Sequence, residues 1–457
     1  MKRRDFNRSL LLAPAAPLLA GTTLSAVPQS AQAGRKIPWQ NWSGHQKATP
    51  AGRVSPKTED ELASLLKTAK QTIRPVGAGH SFSPLVPTEG AILSTRHFDQ
   101  VEAIADNRAI VGAGVKLNRL GEPLHKLGQA LPNMPDIDEQ SVAGAFSTGT
   151  HGTGANFGAM HAYVEALRLV TPRGEVLECS RDSNPDIFDA ARVSLGSLGV
   201  ITQYTLRNET PYKLKRRTWM QPLEQTFAEF HQLAEKHRNF EMYYIPHSDN
   251  ALIITTDLTD EAISPRGEDG DNDAVRELKM LRDYASWWPW LRKKLITGVS
   301  NTIPPEEHVD WWWNIYPSDR AVRFNEMEYH LPRESIVGAL KKVRDTVEKL
   351  NPDVFFPIEV RVVQEDDAWL SPFYKRPSAS LAVHRYFEEP FEAFFKTVEP
   401  IYQPLEGRPH WGKLHSLTHK TLANRYPRWQ DFNEIRRELD PQGIMLNPHL
   451  REIFGHG

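Results

Sequence analysis

The sequence predicts an α+β chain of two domains behind a short leader, and three observations carry that reading. Its 457 residues are enough for two or three hydrophobic cores. Up to about Asn208, short apolar runs alternate with turn residues and brief helical patterns. From about Pro211 the chain changes to longer helical patterns and clustered tryptophans: Trp287, Trp288, Trp290, then Trp311, Trp312, Trp313. The expected division is a leader at 1–33, a first domain at 34–210 and a second at 211–457. Hydrophobic residues make up 40% and charged residues 25%, ordinary for a globular protein. A formal charge of -2 leaves no basic excess, which argues against nucleic acid as a partner.

Residues 1–33 have a basic start, a modest apolar run and a small-residue end at Ala31-Gln32-Ala33, the three parts of an export signal. Pro14 and Pro17 interrupt the run, which is too short to span a bilayer, so no transmembrane span is expected in the mature chain. Arg3-Arg4 with Asp5 and Phe6 resembles the twin-arginine signal, with Asn7 in place of the usual apolar residue. That implies passage as a folded protein through the twin-arginine export machinery into a bacterial periplasm.

Leu62, Leu65, Leu66 and Ala69 recur at helical spacing, with Thr58 or Asp60 as the cap. "TIRPVGAG" is a short strand entering a glycine turn. A helix is expected near Leu117 to Leu127, and "YVEALRLVTPRGEVLECS" is a β-hairpin turning at Pro172-Arg173-Gly174. The single cysteine, Cys179, lies in that hairpin and reads as packed. "SLGSLGVITQYTLRN" is a strand punctuated by glycine. In the second domain "RESIVGALKKVRDTVEKL" is helical. The acidic "EDGDNDA" reads as a solvated loop, because it lacks the spacing and closing glutamate of an EF-hand. The tryptophan clusters read as packing between domains, with stacking on sugar rings as the alternative.

"VGAGHS", Val76 to Ser81, is a turn nearly without side chains, placed directly before a histidine. No Gly-Lys-Ser/Thr follows, so it is not a phosphate-binding Walker loop. Gly77 and Gly79 lack the third glycine of a Rossmann fingerprint, and "FSPLVP" cannot open a helix through two prolines. Successive N–H groups in such a turn still suit pyrophosphate oxygens. A second segment, "SVAGAFSTGTHGTGANFG", sets Gly144, Gly149, Gly152 and Gly154 among small hydroxyl residues. Two such segments, each with a histidine, point to a dinucleotide lying along the backbone.

In this order "PVGAGHSFSP", "SVAGAFSTGTHGTG" and "LGSLGVIT" resemble the FAD-binding domain of the vanillyl-alcohol-oxidase superfamily, the PCMH type. "IEVR" (Ile358 to Arg361) and "HWGKLH" (His410 to His415) extend the resemblance to the sugar-1,4-lactone and alditol oxidases, which include D-arabinono-1,4-lactone oxidase. The resemblance covers nearly the whole mature chain. It implies a two-subdomain FAD-binding domain followed by an α+β substrate, or cap, domain with an antiparallel sheet, whose C-terminal segment returns to the flavin. It implies FAD bonded covalently through His80, by one link only, since Cys179 lies outside the matching loop. Pyrophosphate contacts are expected from Val76, Gly77, Ala78, Gly79 and Ser81. The second loop is expected to add Ser141, Gly144, Thr148, Gly149, His151 and Gly152. Gly199, Val200 and Ile201 resemble the strand beside the adenosine or flavin.

Oxidising an alcohol carbon needs a base near the hydroxyl and a cation for developing negative charge. Glu359 and Arg361 are two apart on an expected strand, hence on one face. The resemblance implies that they bind substrate hydroxyls beside the flavin, that Lys413 stands near flavin and substrate, and that His384 lines the active-site wall. His415 and His419 share a helical face near His410, but no acidic residue completes a set, so no metal is expected. Counting back from "SVAG", Pro135 falls at the family's oxygen gate and Asp136 in the substrate pocket. A stiff ring at the gate is expected to slow oxygen, leaving a cytochrome or quinone as acceptor. The expected function is therefore FAD-dependent oxidation of a CH–OH group in a sugar lactone or polyol, with O2 or a periplasmic acceptor taking the electrons. The alternative is a non-catalytic carbohydrate- or partner-binding protein that keeps the fold. The joint presence of His80, Glu359, Arg361 and Lys413 argues against it.

Overall fold

Strand pairing in the N-terminal half begins with a parallel sheet of Gly52–Val54, Ala91–Ser94 and Ile73–Val76, in that order across the sheet. The computed structural model describes residues 37–267, 271–285, 287–318 and 321–455. The export-signal reading of 1–33 lies outside them. Helix Glu59–Lys67 buries Leu62 and Leu66 against this sheet's core cluster. Its cap is Thr58, which accepts from Glu61 N at 3.2 Å. Asp60 instead joins Glu59 and Glu61 in the first turn, where carboxylates meet the positive end of the helix dipole.

A second, antiparallel sheet runs Val101–Ile104, Arg108–Gly112, Val200–Arg207, Val164–Val170 and Val176–Ser180. Its last two strands are the expected hairpin, and Gly174 takes φ +79° in the turn. Cys179 is buried there, and burial pushes its thiol up to about 12, so it is a packed thiol. The helix expected near Leu117 to Leu127 divides into a 3-10 turn, Leu117–Arg119, and a helix, Gly121–Lys126. Pro123 lacks an N–H to donate and is tolerated only in a first turn, which places the start at Gly121.

The C-terminal half is built on an eight-stranded antiparallel sheet. Its order is Glu306–Trp311, Lys213–Pro222, Asn250–Leu258, Asn239–Tyr244, Ile358–Val363, Ser378–Tyr386, Phe324–Pro332 and Arg408–Pro409. One face carries Met242, Val360, Val362, Leu381 and Val383 into the main core, with helices Leu223–Lys236 and Ile336–Leu350 packed on it. Ile336, Ala339, Leu340, Val343 and Val347 form the buried stripe of the second helix. Alternation along the strands then sends Glu241, Tyr243, Glu326, Glu328, Glu359 and Arg361 to the other face.

Two expectations change. The acidic stretch is not all loop, because helix Asp271–Ala285 begins within it. The tryptophan clusters also part company. Trp312 is fully buried, and Trp311 and Trp313 enclose His125 at 4.4 and 4.6 Å between ring centroids, packing the second half against the first. Trp287, Trp288 and Trp290 pack nothing of the kind and stand exposed. The described residues form one compact unit, and its main core cluster draws on both halves.

Candidate active site

Strand Ile73–Val76 delivers the chain into the 77–81 turn, beside helix Val142–Thr148. A Cβ on Gly77 would lie 2.0 Å from Ser141 Oγ, so glycine is what lets these segments close on each other. Gly79 has φ +74°, and among the described residues the N–H groups of Ala78, Gly79, His80 and Ser81 donate to no backbone carbonyl. Arg74, 1% exposed, fixes the turn from behind. It donates to the carbonyls of Leu85, Gly196 and Leu195 at 2.7, 2.8 and 2.7 Å, and to that of Met445.

Val76, Gly77, Ala78, Gly79, His80, Ser81, Ser141, Gly144, Thr148, Gly199, Val200 and Ile201 line one cleft of about 130 Å³. Gly149, His151 and Gly152, expected among them, do not. The second glycine-rich segment is a helix where a loop was expected: Ser141 caps it by accepting from Gly144 N at 3.3 Å, and Gly149 closes it at φ +80°. The chain then passes from the cleft, which Thr150 still lines, to the adjoining cavity, which His151 lines. His151 Nε2 meets Glu328 Oε1 at 2.9 Å, and a Cβ on Gly152 would lie 2.4 Å from Met134 O. His80 stacks on Trp42, with ring centroids 5.8 Å apart. Burial lowers His80 to about 4; Glu139 opposes the shift, and Lys116 and Lys413 add to it. Its imidazole is therefore neutral at pH 7. A cleft poor in side chains, with open N–H donors and a neutral histidine at its edge, fits FAD.

The cleft opens into a cavity of about 280 Å³ across Ile137, Gln140, Thr150, His410 and Lys413, which line both. The cavity rests on the polar face of the large sheet. Arg361 NH2 lies 2.5 Å from Glu359 Oε1. Strand register supplies two partners that sequence reasoning missed. Tyr243, opposite Glu359, donates to Oε1 at 2.5 Å, and Glu241, opposite Arg361, accepts from Nε at 2.8 Å. Asp136 is a third carboxylate on the guanidinium, at 2.9 Å, and Pro135 lines the same cavity. His384 Nδ1 donates to Pro357 O at 3.1 Å, and its Nε2 is 3.6 Å from Glu326 Oε1. Lys413 pairs with Glu326 and stands 4.0 Å from Glu328. The loop carrying it is fastened to the glycine turn, because Phe82 N donates to Gly412 O at 2.7 Å and Ser83 Oγ to Trp411 O at 2.6 Å.

Burial pushes Glu359 up to about 8; Asp136, Glu241 and Glu326 add to the rise and Arg361 opposes it. The carboxyl thus keeps its proton at neutral pH. Burial works against charge on Arg361 and Lys413. Asp136, Glu359 and Glu241 nevertheless hold Arg361 well above its ordinary value, and Glu326 and Glu328 raise Lys413. Burial also opposes charge on Glu328, but His151, His410 and His330 hold it well below the carboxylate range. Such a cavity can hold a neutral, hydroxyl-rich molecule, take a proton from it and stabilise a negative oxygen.

Glu326 and Glu328 were also missed, although "NFEMYY" and "FNEMEYH" set polar residues two apart in apolar strands. Which strand would face which was not legible. Among the described residues His410 gathers with His151 and Glu328, not with His415 and His419. All three are engaged in hydrogen bonds: Glu328 with His151, and His410 Nδ1 as acceptor from Gly412 N at 3.0 Å.

A family model described as D-arabinono-1,4-lactone oxidase matches residues 204–453, and one described as FAD binding domain matches 50–180. The L-gulono-1,4-lactone dehydrogenase of Mycobacterium tuberculosis is 36% identical over 91% of this chain and 99% of its own length. The L-gulonolactone oxidase of Bos taurus is 30% identical over 92% and 98%, and the alditol oxidase of Streptomyces sp. 29% over 91% and 98%. Among solved structures, cholesterol oxidase from B. sterolicum superposes with a TM-score of 0.76 at 16% identity, covering 95% of this chain and 100% of that one. That likeness is one of fold, the PCMH-type arrangement. The match at 50–180 carries the glycine turn and the match at 204–453 the polar sheet face that it opens onto, and the chain belongs to the D-arabinono-1,4-lactone oxidase family of FAD-dependent oxidoreductases.

Proposed function

We propose that the protein oxidises a CH–OH group of a neutral sugar 1,4-lactone, with polyols as the second substrate class. The observation that carries this is the Glu359–Arg361 pair, buried on the floor of a cavity that opens directly into the cleft fitting FAD. The cofactor is held by the open N–H groups of residues 78–81, by the helix start at Ser141 and by strand Val200–Arg207. Bound there, FAD supplies the two-electron acceptor for the hydride that leaves the alcohol carbon. Glu359, once ionised, accepts the hydroxyl proton, while Arg361 and Lys413 stabilise the negative oxygen. Tyr243 and Glu241 fix the two reacting side chains, and Asp136 and Glu326 accept hydrogen bonds from further hydroxyls.

His80, neutral and at the cleft edge, is the residue through which FAD is bonded covalently in this reading. Pro135 narrows the approach of oxygen, so a cytochrome or quinone takes the electrons. The leader directs the folded protein through the twin-arginine route to the periplasm. Anaerobic mixing of the purified protein with 1,4-lactones, alditols and aldoses tests the substrate, and lactones should bleach the flavin fastest. Bleaching by alditols alone would reject the lactone reading. Acid precipitation tests the bond, since yellow colour should stay in the pellet and leave it in His80→Ala. Reoxidation in air as fast as that of a good oxidase would reject the oxygen gate.

A further inference from the structure

Eight of the fifteen large apolar side chains exposed among the described residues fall within the 24 residues from Met280 to Ile303. They sit on two helices, Asp271–Ala285 and Pro289–Ser300, in the turn between them and, for Ile303, just after the second. At the turn, Trp287, Trp288 and Trp290 are 85%, 57% and 64% exposed, and Tyr284 beside them is 80% exposed. No other tryptophan of the described residues is exposed. Clustered apolar exposure of this kind marks a surface that meets something other than water.

The second helix shows that this face is separate from the core. Arg292, Ile296 and Ser300, one turn apart, are buried, whereas Trp290 and Leu295 face outward; Val299 and Ile303, also exposed, line the mouth of the cavity instead. From Tyr284 to Ile303 the chain carries three cations, Arg292, Lys293 and Lys294, and no carboxylate. Lys294 is exposed, with Nζ 5.6 Å from the Trp290 ring centroid. Charge separates the candidate occupants. Protein–protein interfaces are enriched in tryptophan but depleted of lysine, whereas tryptophan and tyrosine beside lysine suit the headgroup level of an anionic bilayer. No described helix is long and apolar enough to cross a membrane, so contact of this kind is with the surface.

We propose that this helical hairpin docks the protein on an anionic phospholipid surface, with the three tryptophans inserted at headgroup depth and Lys294 on the phosphates. The inference does not depend on which substrate the cavity takes.

Flotation of the purified mature holoprotein with phosphatidylcholine vesicles, and with vesicles of phosphatidylcholine and phosphatidylglycerol in equal parts, tests it. The wild type floats with the anionic vesicles, less with the neutral ones, and is released by salt. Its tryptophan emission shifts to the blue on binding. Trp287→Ala/Trp288→Ala/Trp290→Ala loses at least about tenfold in partitioning and shows no blue shift. It keeps its flavin and its activity in solution, because none of the three lines the cleft or the cavity. Lys294→Glu weakens binding to the anionic vesicles only. A wild type that stays in the soluble fraction with both vesicles overturns the proposal. So does a wild-type dimer that the triple variant turns into a monomer, which would assign the patch to a second copy of the chain.

Discussion

Tyr243 and Glu359 face each other across adjacent strands, and the phenol donates to Glu359 Oε1 at 2.5 Å. Arg361 NH2 reaches the same oxygen at 2.5 Å. Burial, with Glu241 and Glu359 adding, pushes the Tyr243 phenol well above its ordinary value, so it remains a neutral donor. The carboxyl is thereby held by one hydrogen bond, from Tyr243, and one close guanidinium before any substrate arrives.

Proton abstraction by Glu359 requires its carboxylate form, so turnover should rise with pH through about 8. Glu359→Gln should remove that limb from the pH–rate profile. Tyr243→Phe, which withdraws a hydrogen bond from the charged form, should move it to higher pH. The same group affects stability. Its folded pKa of about 8 lies above the ordinary 4.5. Between the two the unfolded chain has released the proton and the folded chain has kept it, so the protein loses stability as pH rises through that window. The melting temperature of Glu359→Gln relative to wild type should therefore be higher at about pH 9 than at about pH 5.

Arg361 contacts the carboxyls of Asp136, Glu241 and Glu359 at once. Arg361→Met leaves these carboxyls buried without a cation and should cost about 3–5 kcal/mol in denaturant unfolding. Arg361→Lys keeps the charge but not the fork, and should fold while losing most of its activity.

Among the residues lining the cavity, the carboxylates Asp136, Glu241, Glu277, Glu326 and Glu328 outnumber the cations Arg216, Arg266, Arg361 and Lys413, with Glu359 protonated. A lactone is neutral, but its hydrolysed form is a carboxylate that this cavity repels. The free acid should bind at least about tenfold more weakly, a difference of roughly 1.4 kcal/mol. Inhibition constants of matched lactone and acid pairs measure it.

Gly77→Ala places a Cβ 2.0 Å from Ser141 Oγ and 3.1 Å from Ser141 Cβ. It should force the turn from the helix and lower flavin content. Adding Ser141→Gly removes both clashing atoms and should recover part of it, as read from the ratio of flavin to protein absorbance.

The sequence announced the glycine turn, the strand carrying Glu359 and Arg361, and the loop carrying Lys413, because each is a local pattern. It did not announce Glu241, Tyr243, Glu326 or Glu328, whose place depends on strand order and register, and register is a non-local outcome. The place of His151, which lines the cavity and not the cleft, was illegible for a related reason. Small residues at 141–149 read as a loop, but Ser141 and Gly149 cap a helix, after which the chain runs on into the cavity. Exposure of Trp287, Trp288 and Trp290 was equally illegible, since identical residues at 311–313 are packed.

The most direct measurement is anaerobic stopped-flow reduction of the flavin by a sugar 1,4-lactone in wild type and Glu359→Gln. The account predicts rapid bleaching in the wild type, and a variant that retains its flavin and its lactone affinity but bleaches at least about a hundredfold more slowly at the same pH. Equal rates in the two proteins would contradict it, by placing the proton acceptor elsewhere than on the sheet beneath the cleft.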